Sequence, residues 1–174
     1  MTRPSLIRLA GLATMAGGVG SFAIIWLPDW LSMLMLAATI FPAIVALLAL
    51  HSERYWLAGT LGALAVFVGL ALIIASWILR LTTLIALELG LVLVTFGLVG
   101  LATLTIAARV LPWWCGAALI VGSPLGVVLG MVSLWPLGLD ETALILPLGA
   151  GWALVGFAIF RAGVHQIDQP SRVR

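Results

Sequence analysis

The chain has 174 residues, 64% of them apolar and 8% charged, with eight arginines, no lysine and a formal net charge of +2. So little charge cannot hold the surface of a domain this size in water, which excludes a water-soluble globular fold. No basic patch gathers anywhere along the chain, so nucleic acid is not an expected partner. A single cysteine, Cys115, excludes an internal disulfide, and the absence of Asn excludes N-glycosylation.

Between the charges lie uninterrupted apolar runs at Leu9–Pro28, Trp30–Leu50, Tyr55–Leu79, Leu89–Ala108, Val110–Leu139 and Thr142–Phe160. A helix rising about 1.5 Å per residue needs about 20 such residues to cross a hydrocarbon core of about 30 Å. The expected fold is therefore an all-α polytopic membrane bundle of six transmembrane helices joined by short loops. Helix 1 is predicted over Ser5–Leu27, helix 2 over Leu31–Leu50 and helix 3 over Tyr55–Leu79. Helix 4 follows over Thr82–Val110, helix 5 over Trp113–Leu134 and helix 6 over Glu141–Val164. Arg3 and Arg8 before an apolar run resemble a signal peptide, but no small-residue cleavage site leads into a polar region, so the segment reads as an uncleaved first helix. Residues 1–165 form one transmembrane domain, and 166–174, with Pro170, a flexible cytoplasmic tail.

Arginine placement orients the bundle. With both termini cytoplasmic, Arg3, Arg8, Arg54, Arg109, Arg161, Arg172 and Arg174 fall inside and only Arg80 outside. Trp26, Trp30, Trp77 and Trp135 then mark the outer interface, and Tyr55, Trp56, Trp113 and Trp114 the inner one, leaving Trp152 near a span centre. The expected location is a bacterial inner membrane, crossed several times.

Helices in lipid associate through close packing rather than escape from water, so small residues mark their interfaces. The clearest stripe is Ala118, Gly122, Gly126 and Gly130 on helix 5, with shorter ones at Ala13, Gly17 and Ser21 and along helix 3. Packing within one chain is the expected use of the helix 5 stripe, with pairing to a second copy or another membrane protein as the alternative. Pro42 and Pro124 are expected to free the Ala38 and Ile120 carbonyls and kink their helices, with Thr39 and Ser123 beside them to help satisfy the backbone.

Two internal repeats compete. Leu9-Ala10-Gly11, Val19-Gly20 and Ile24-Ile25 align with Leu57-Ala58-Gly59, Val68-Gly69 and Ile73-Ile74, which describes parallel two-helix hairpins. Leu27-Pro28-Asp29-Trp30 aligns with Leu111-Pro112-Trp113-Trp114, 84 residues on, which describes an inverted repeat of helices 1–3 and 4–6. More positions agree in the hairpin version, which is the expected one. At Tyr55–Leu104 and Trp113–Gly163, above all Gly149–Gly163 with Gly151 and Gly156, this hairpin pattern resembles the HdeD-like small six-helix membrane proteins. That resemblance implies a role in acid stress and carries no catalytic motif.

Glu88 is the one ionisable residue well inside a predicted span, roughly 12 Å along helix 4 from Arg80. Intramembrane carboxylates point to proton or cation binding, the other reading being a structural carboxylate near the outer boundary that reaches headgroup water or bonds to a neighbouring helix. Glu88, Arg80 and Ser123 together form the candidate polar site. Gly122-Ser123-Pro124-Leu125-Gly126 looks superficially like an intramembrane serine-protease motif, but no base falls near Ser123, since His165 is about half a bilayer away. His51 and His165 lie at the cytoplasmic surface as solvated groups. No catalytic, cofactor-binding or metal-binding residues are assigned. The expected function is a non-enzymatic membrane protein with a structural, assembly or stress-associated role. The alternative is a small transporter or membrane-embedded substrate-binding subunit for an apolar or vitamin-like solute.

Overall fold

A computed structural model describes residues 3–21, 23, 27, 29–50, 55–78, 84–125 and 142–168. Among the described residues the architecture is all-α, with no strand. The helices are α1 (Arg3–Gly20), α2 (Asp29–Leu50), α3 (Trp56–Ile78), α4 (Leu84–Ala108), α5 (Trp113–Val121) and α6 (Thr142–Asp168). Three are long and apolar enough to cross a membrane, over Trp56–Ser76, Ile85–Ala108 and Pro147–His165, and Leu34–Leu50 is a shorter apolar helix. On α4, Ile85 and Phe96 are 73% and 72% exposed while Leu98 and Leu101 are wholly buried. A helix apolar on its outer as well as its inner face needs oil around it, the mark of a membrane protein.

The helix ends differ from expectation for local reasons. α1 stops at Gly20 instead of continuing to Leu27, because Gly17, Gly18 and Gly20 crowd its last turn and each weakens a helix. There the Ser21 hydroxyl donates to the Gly17 carbonyl at 2.9 Å. α4 ends where Arg109 takes a left-handed φ of 52°, a turn conformation costly for a residue with a Cβ. The expected helix 5 is broken after Val121, because Pro124 has no N–H to give the Ile120 carbonyl; helical conformation resumes at Pro124 and Leu125, and the expected stretch to Leu134 lies outside the described residues. That carbonyl instead accepts from the Ser123 N–H at 3.1 Å and the Ser123 hydroxyl at 2.6 Å. At Pro42 the helix is not broken: α2 runs on to Leu50, and the Thr39 hydroxyl donates to Met35 rather than to the carbonyl that Pro42 frees. α6 continues to Asp168, so the first three residues of the expected tail are helical.

Each helix packs against the next and α6 returns to α1, closing a ring in which the broadest interfaces are α1–α6 and α3–α4. Both are built on glycine. Gly11 lies against Gly156 and Phe160, Gly18 against Ala153, and Gly163 against Arg8, so α1 and α6 run antiparallel. A Cβ on Gly11 would sit 2.9 Å from the Gly156 carbonyl oxygen, and one on Gly156 would sit 2.7 Å from that of Gly11. The α3–α4 pair repeats this: a Cβ on Gly90 would sit 2.8 Å from the Gly69 carbonyl oxygen, and one on Gly69 2.6 Å from that of Gly90. In each case the next atoms met belong to the residue four further along the partner, Phe160, Met15, Ile73 and Val94. Gly11 and Gly18, Gly62 and Gly69, Gly90 and Gly97, and Gly156 and Gly163 recur at seven residues, two turns that return to one helix face.

α1 therefore sits on α6 as α4 sits on α3. The expected hairpin repeat would make α1–α2 the counterpart of α3–α4, and the structure corrects it: the close partner of α1 is α6. The 84-residue register fits instead. α2 begins at Asp29 and α5 at Trp113, and the same shift places buried Thr39 on buried Ser123. Short connections alternate the direction of α1 to α4, so among the described residues α1 and α4 run oppositely, as an inverted relation of the two halves requires.

Replacing Gly11 or Gly90 by Ala is expected to destabilise the bundle by about 1–3 kcal/mol, because the methyl meets backbone that cannot yield. Gly100→Ala, where a Cβ meets nothing within 4 Å, is expected to be neutral or stabilising by up to about 1 kcal/mol. Unfolding midpoints in mixed micelles measure both.

Candidate functional site

The polar side chains on this framework are mostly turned back on their own helices. Thr14, Ser21, Thr39, Ser76 and Thr105 are buried, and each hydroxyl donates to the carbonyl four residues earlier at 2.7–2.9 Å. Such bonds satisfy the hydroxyl proton without reaching a neighbouring helix. Thr60, Thr95 and Thr103 do the same on exposed faces.

The expected polar site is not gathered into one place. Glu88 lies exposed on α4 among Ile85, Leu89 and Val92, which are exposed too. Ser123 is wholly buried at the end of α5, where its hydroxyl donates to Ile120 and accepts from the Leu125 N–H at 3.2 Å. One group faces outward and the other is enclosed, so they do not line a common cavity. Arg80 lies outside the described residues.

Half of the expected stripe on helix 5 can be placed. Ala118 and Gly122 are buried against α6, where a Cβ on Gly151 would lie 2.7 Å from the Ala118 carbonyl oxygen and 2.6 Å from the Gly122 nitrogen. This part of the stripe is covered by the same chain. Gly122 belongs to the two-residue turn between α5 and the helical residues Pro124 and Leu125. Gly126 and Gly130 lie outside the described residues.

The group that sequence reasoning left out is Trp152. Its side chain is wholly buried on α6, and its indole N–H finds no acceptor among the described residues. Buried indole N–H groups ordinarily find a partner. The ring lies under the α5 turn: a Cβ on Gly122 would be 3.2 Å from Nε1. Neighbouring contacts define the layer, since Gly18 packs on Trp152 and Ala153 while Gly17 packs on Thr39. Trp152, Thr39, Gly122 and Ser123 thus occupy one level of the bundle. The signal available beforehand was a lone Trp at mid-span, far from both aromatic belts.

Elsewhere, a cavity of about 140 Å³ lies between α2 and α3, lined by Leu48, Tyr55, Trp56, Gly59 and Thr60. Cys115 is buried and free. Among the described residues no three His, Cys, Asp or Glu side chains gather as metal ligands would. Comparison with protein-family models, with characterised proteins and with solved structures finds no match for this chain.

Ser123→Ala is expected to destabilise the bundle by about 1–2 kcal/mol, because it leaves the Leu125 N–H and part of the Ile120 carbonyl unpaired. Glu88→Gln, at an exposed position, is expected to change stability by less than about 0.5 kcal/mol. Thermal unfolding of the two purified variants provides the comparison.

Proposed function

We propose that this chain is a six-crossing integral membrane protein of a bacterial inner membrane, with both termini cytoplasmic. Its role is non-enzymatic, in membrane structure, assembly or stress tolerance, as the resemblance to HdeD-like proteins implies. The observation that carries this reading is the closure of the interior: backbone lies on backbone at Gly11–Gly156 and Gly69–Gly90, and the buried hydroxyls bond within their own helices. A bundle filled this way offers few free polar groups to run a reaction. The orientation is supported by the meeting of Arg8 and Gly163, which sets the start of α1 beside the end of α6. Arg8 and Arg161 rest their guanidinium groups on Phe160 and Phe157, at 5.7 and 5.8 Å from the ring centroids, as charged heads do at a membrane edge.

A second reading, a small transporter or solute-binding subunit, is favoured by one specific observation. The inverted halves place Pro42 of α2 and Pro124 after α5 within two residues of one register. Helices carrying proline in corresponding positions of two inverted halves point to where transporters bind solute, and here the helix beside Pro124 is broken while α2 runs through Pro42.

Reporter fusions at the two ends of the chain are expected to report the same, cytoplasmic compartment; opposite compartments would overturn the six-crossing reading. Native mass spectrometry separates the functional readings. A bound partner protein or a bare chain supports the structural role, and a retained small solute supports the binding role.

A further inference from the structure

We propose that the Trp152 indole N–H is the donor of a solute site beneath the α5 turn, and that the site takes a small, uncharged, largely apolar molecule bearing a carbonyl-type oxygen. The proposal rests on the solute-binding reading and names its ligand class.

Three independent observations meet at this place. The first is the donor: a wholly buried N–H without an acceptor among the described residues. The second is the turn above it. α5 stops at Val121, the chain turns through Gly122 and Ser123, and helix resumes at Pro124; two side-chain bonds span the break, from the Ser123 hydroxyl to the Ile120 carbonyl and from the Leu125 N–H to the Ser123 oxygen. Non-helical backbone inside a membrane is tolerated where protein buries it or where it borders a cavity, and here it lies on the ring that carries the free donor. The third is symmetry: α2, the counterpart of α5, carries Pro42 and sets buried Thr39 in the register of Ser123.

The lining selects the ligand chemistry. Gly17, Gly18, Gly122 and Gly151 bring backbone rather than side chains to this level, and a Cβ on Gly122 would meet the Ala118 carbonyl oxygen and the Trp152 ring. Burying a charged solute beside helix backbone and an indole ring is costly, and a sugar or other polyol needs more partners than one donor supplies. One acceptor oxygen satisfies the indole N–H. The Thr39 oxygen has donated its proton to Met35 and keeps lone pairs that can accept from a ligand hydroxyl. Entry requires the Gly122–Ser123 turn to swing away from α6, because Trp152 is fully covered.

The test uses the full chain, labelled with ¹⁵N at its tryptophans and held in lipid nanodiscs. The two probes have one shape: cyclohexanone carries the acceptor oxygen, and methylenecyclohexane has a CH₂ group in its place. The Trp152 peak is identified by its loss in Trp152→Phe. If that variant does not accumulate, Gly122→Ala identifies it, since the new methyl would lie about 3.2 Å from Nε1 and move the same peak. The expected result is a saturable downfield shift of this one indole proton with cyclohexanone, at an affinity at least about fivefold above that of the hydrocarbon, the worth of one hydrogen bond. An unmoved peak, or an equal response to both probes, overturns the site. Native mass spectrometry distinguishes this from failure of the binding reading. A small solute retained equally by the wild-type chain and Trp152→Phe would show that the chain binds elsewhere and that this site is wrong.

Discussion

The fold depends on backbone meeting backbone at two glycine crossings. Lipid gives apolar side chains no reason to leave it, so helices must win cohesion from many short-range contacts at once. Glycine allows this, because removing the Cβ brings one helix axis close enough for carbonyl and amide atoms of the other to touch it. Gly11 with Gly156 and Gly69 with Gly90 form the same contact in two places, and Gly18, Gly97 and Gly163 continue each crossing by two further turns. The remaining interfaces, α1–α2, α4–α5, α5–α6, α2–α3 and α2–α6, are narrower.

The same constraint shapes the polar groups. Helices held that close leave little room for side chains bonding across the interface, so Thr14, Thr39 and Thr105 fold their hydroxyls back onto the preceding turn. Self-satisfied hydroxyls behave almost as apolar groups, which lets them pack in an apolar interior. Trp152 departs from this pattern. It is too large for a glycine crossing and lies where α5 has given up its helix, so its donor faces a place the rest of the packing does not fill with acceptors.

Much of the fold was legible in the apolar runs, since their length and spacing place helices in all six expected regions. The packing was harder to read. A stripe spaced by four, Ala118 to Gly130, attracted attention because it is dense, whereas the contacts that dominate the structure are spaced by seven and spread over four helices. Each heptad pair looks sparse alone, and only the partner helix shows its purpose. The repeat failed similarly: Leu, Gly and Ile matches are cheap in an oily chain, while the shorter Leu-Pro match carries helix starts at Asp29 and Trp113. For the candidate site, Ser123 beside Pro124 was read with its role in satisfying Ile120, but Glu88 drew notice for its charge alone, and charge in a span does not reveal which way the side chain faces.

The docking of α1 on α6 also bears on how the molecule is made. The helix that emerges early has its broadest interface with one that emerges more than a hundred residues later. Until then α1 can lean only on α2, and its glycine face stands open to lipid, whereas α3 and α4 can zip together as soon as both are inserted. The α1–α6 contact is thus the long-range one, closed only once both flanks of the chain exist, and the α3–α4 contact the local one.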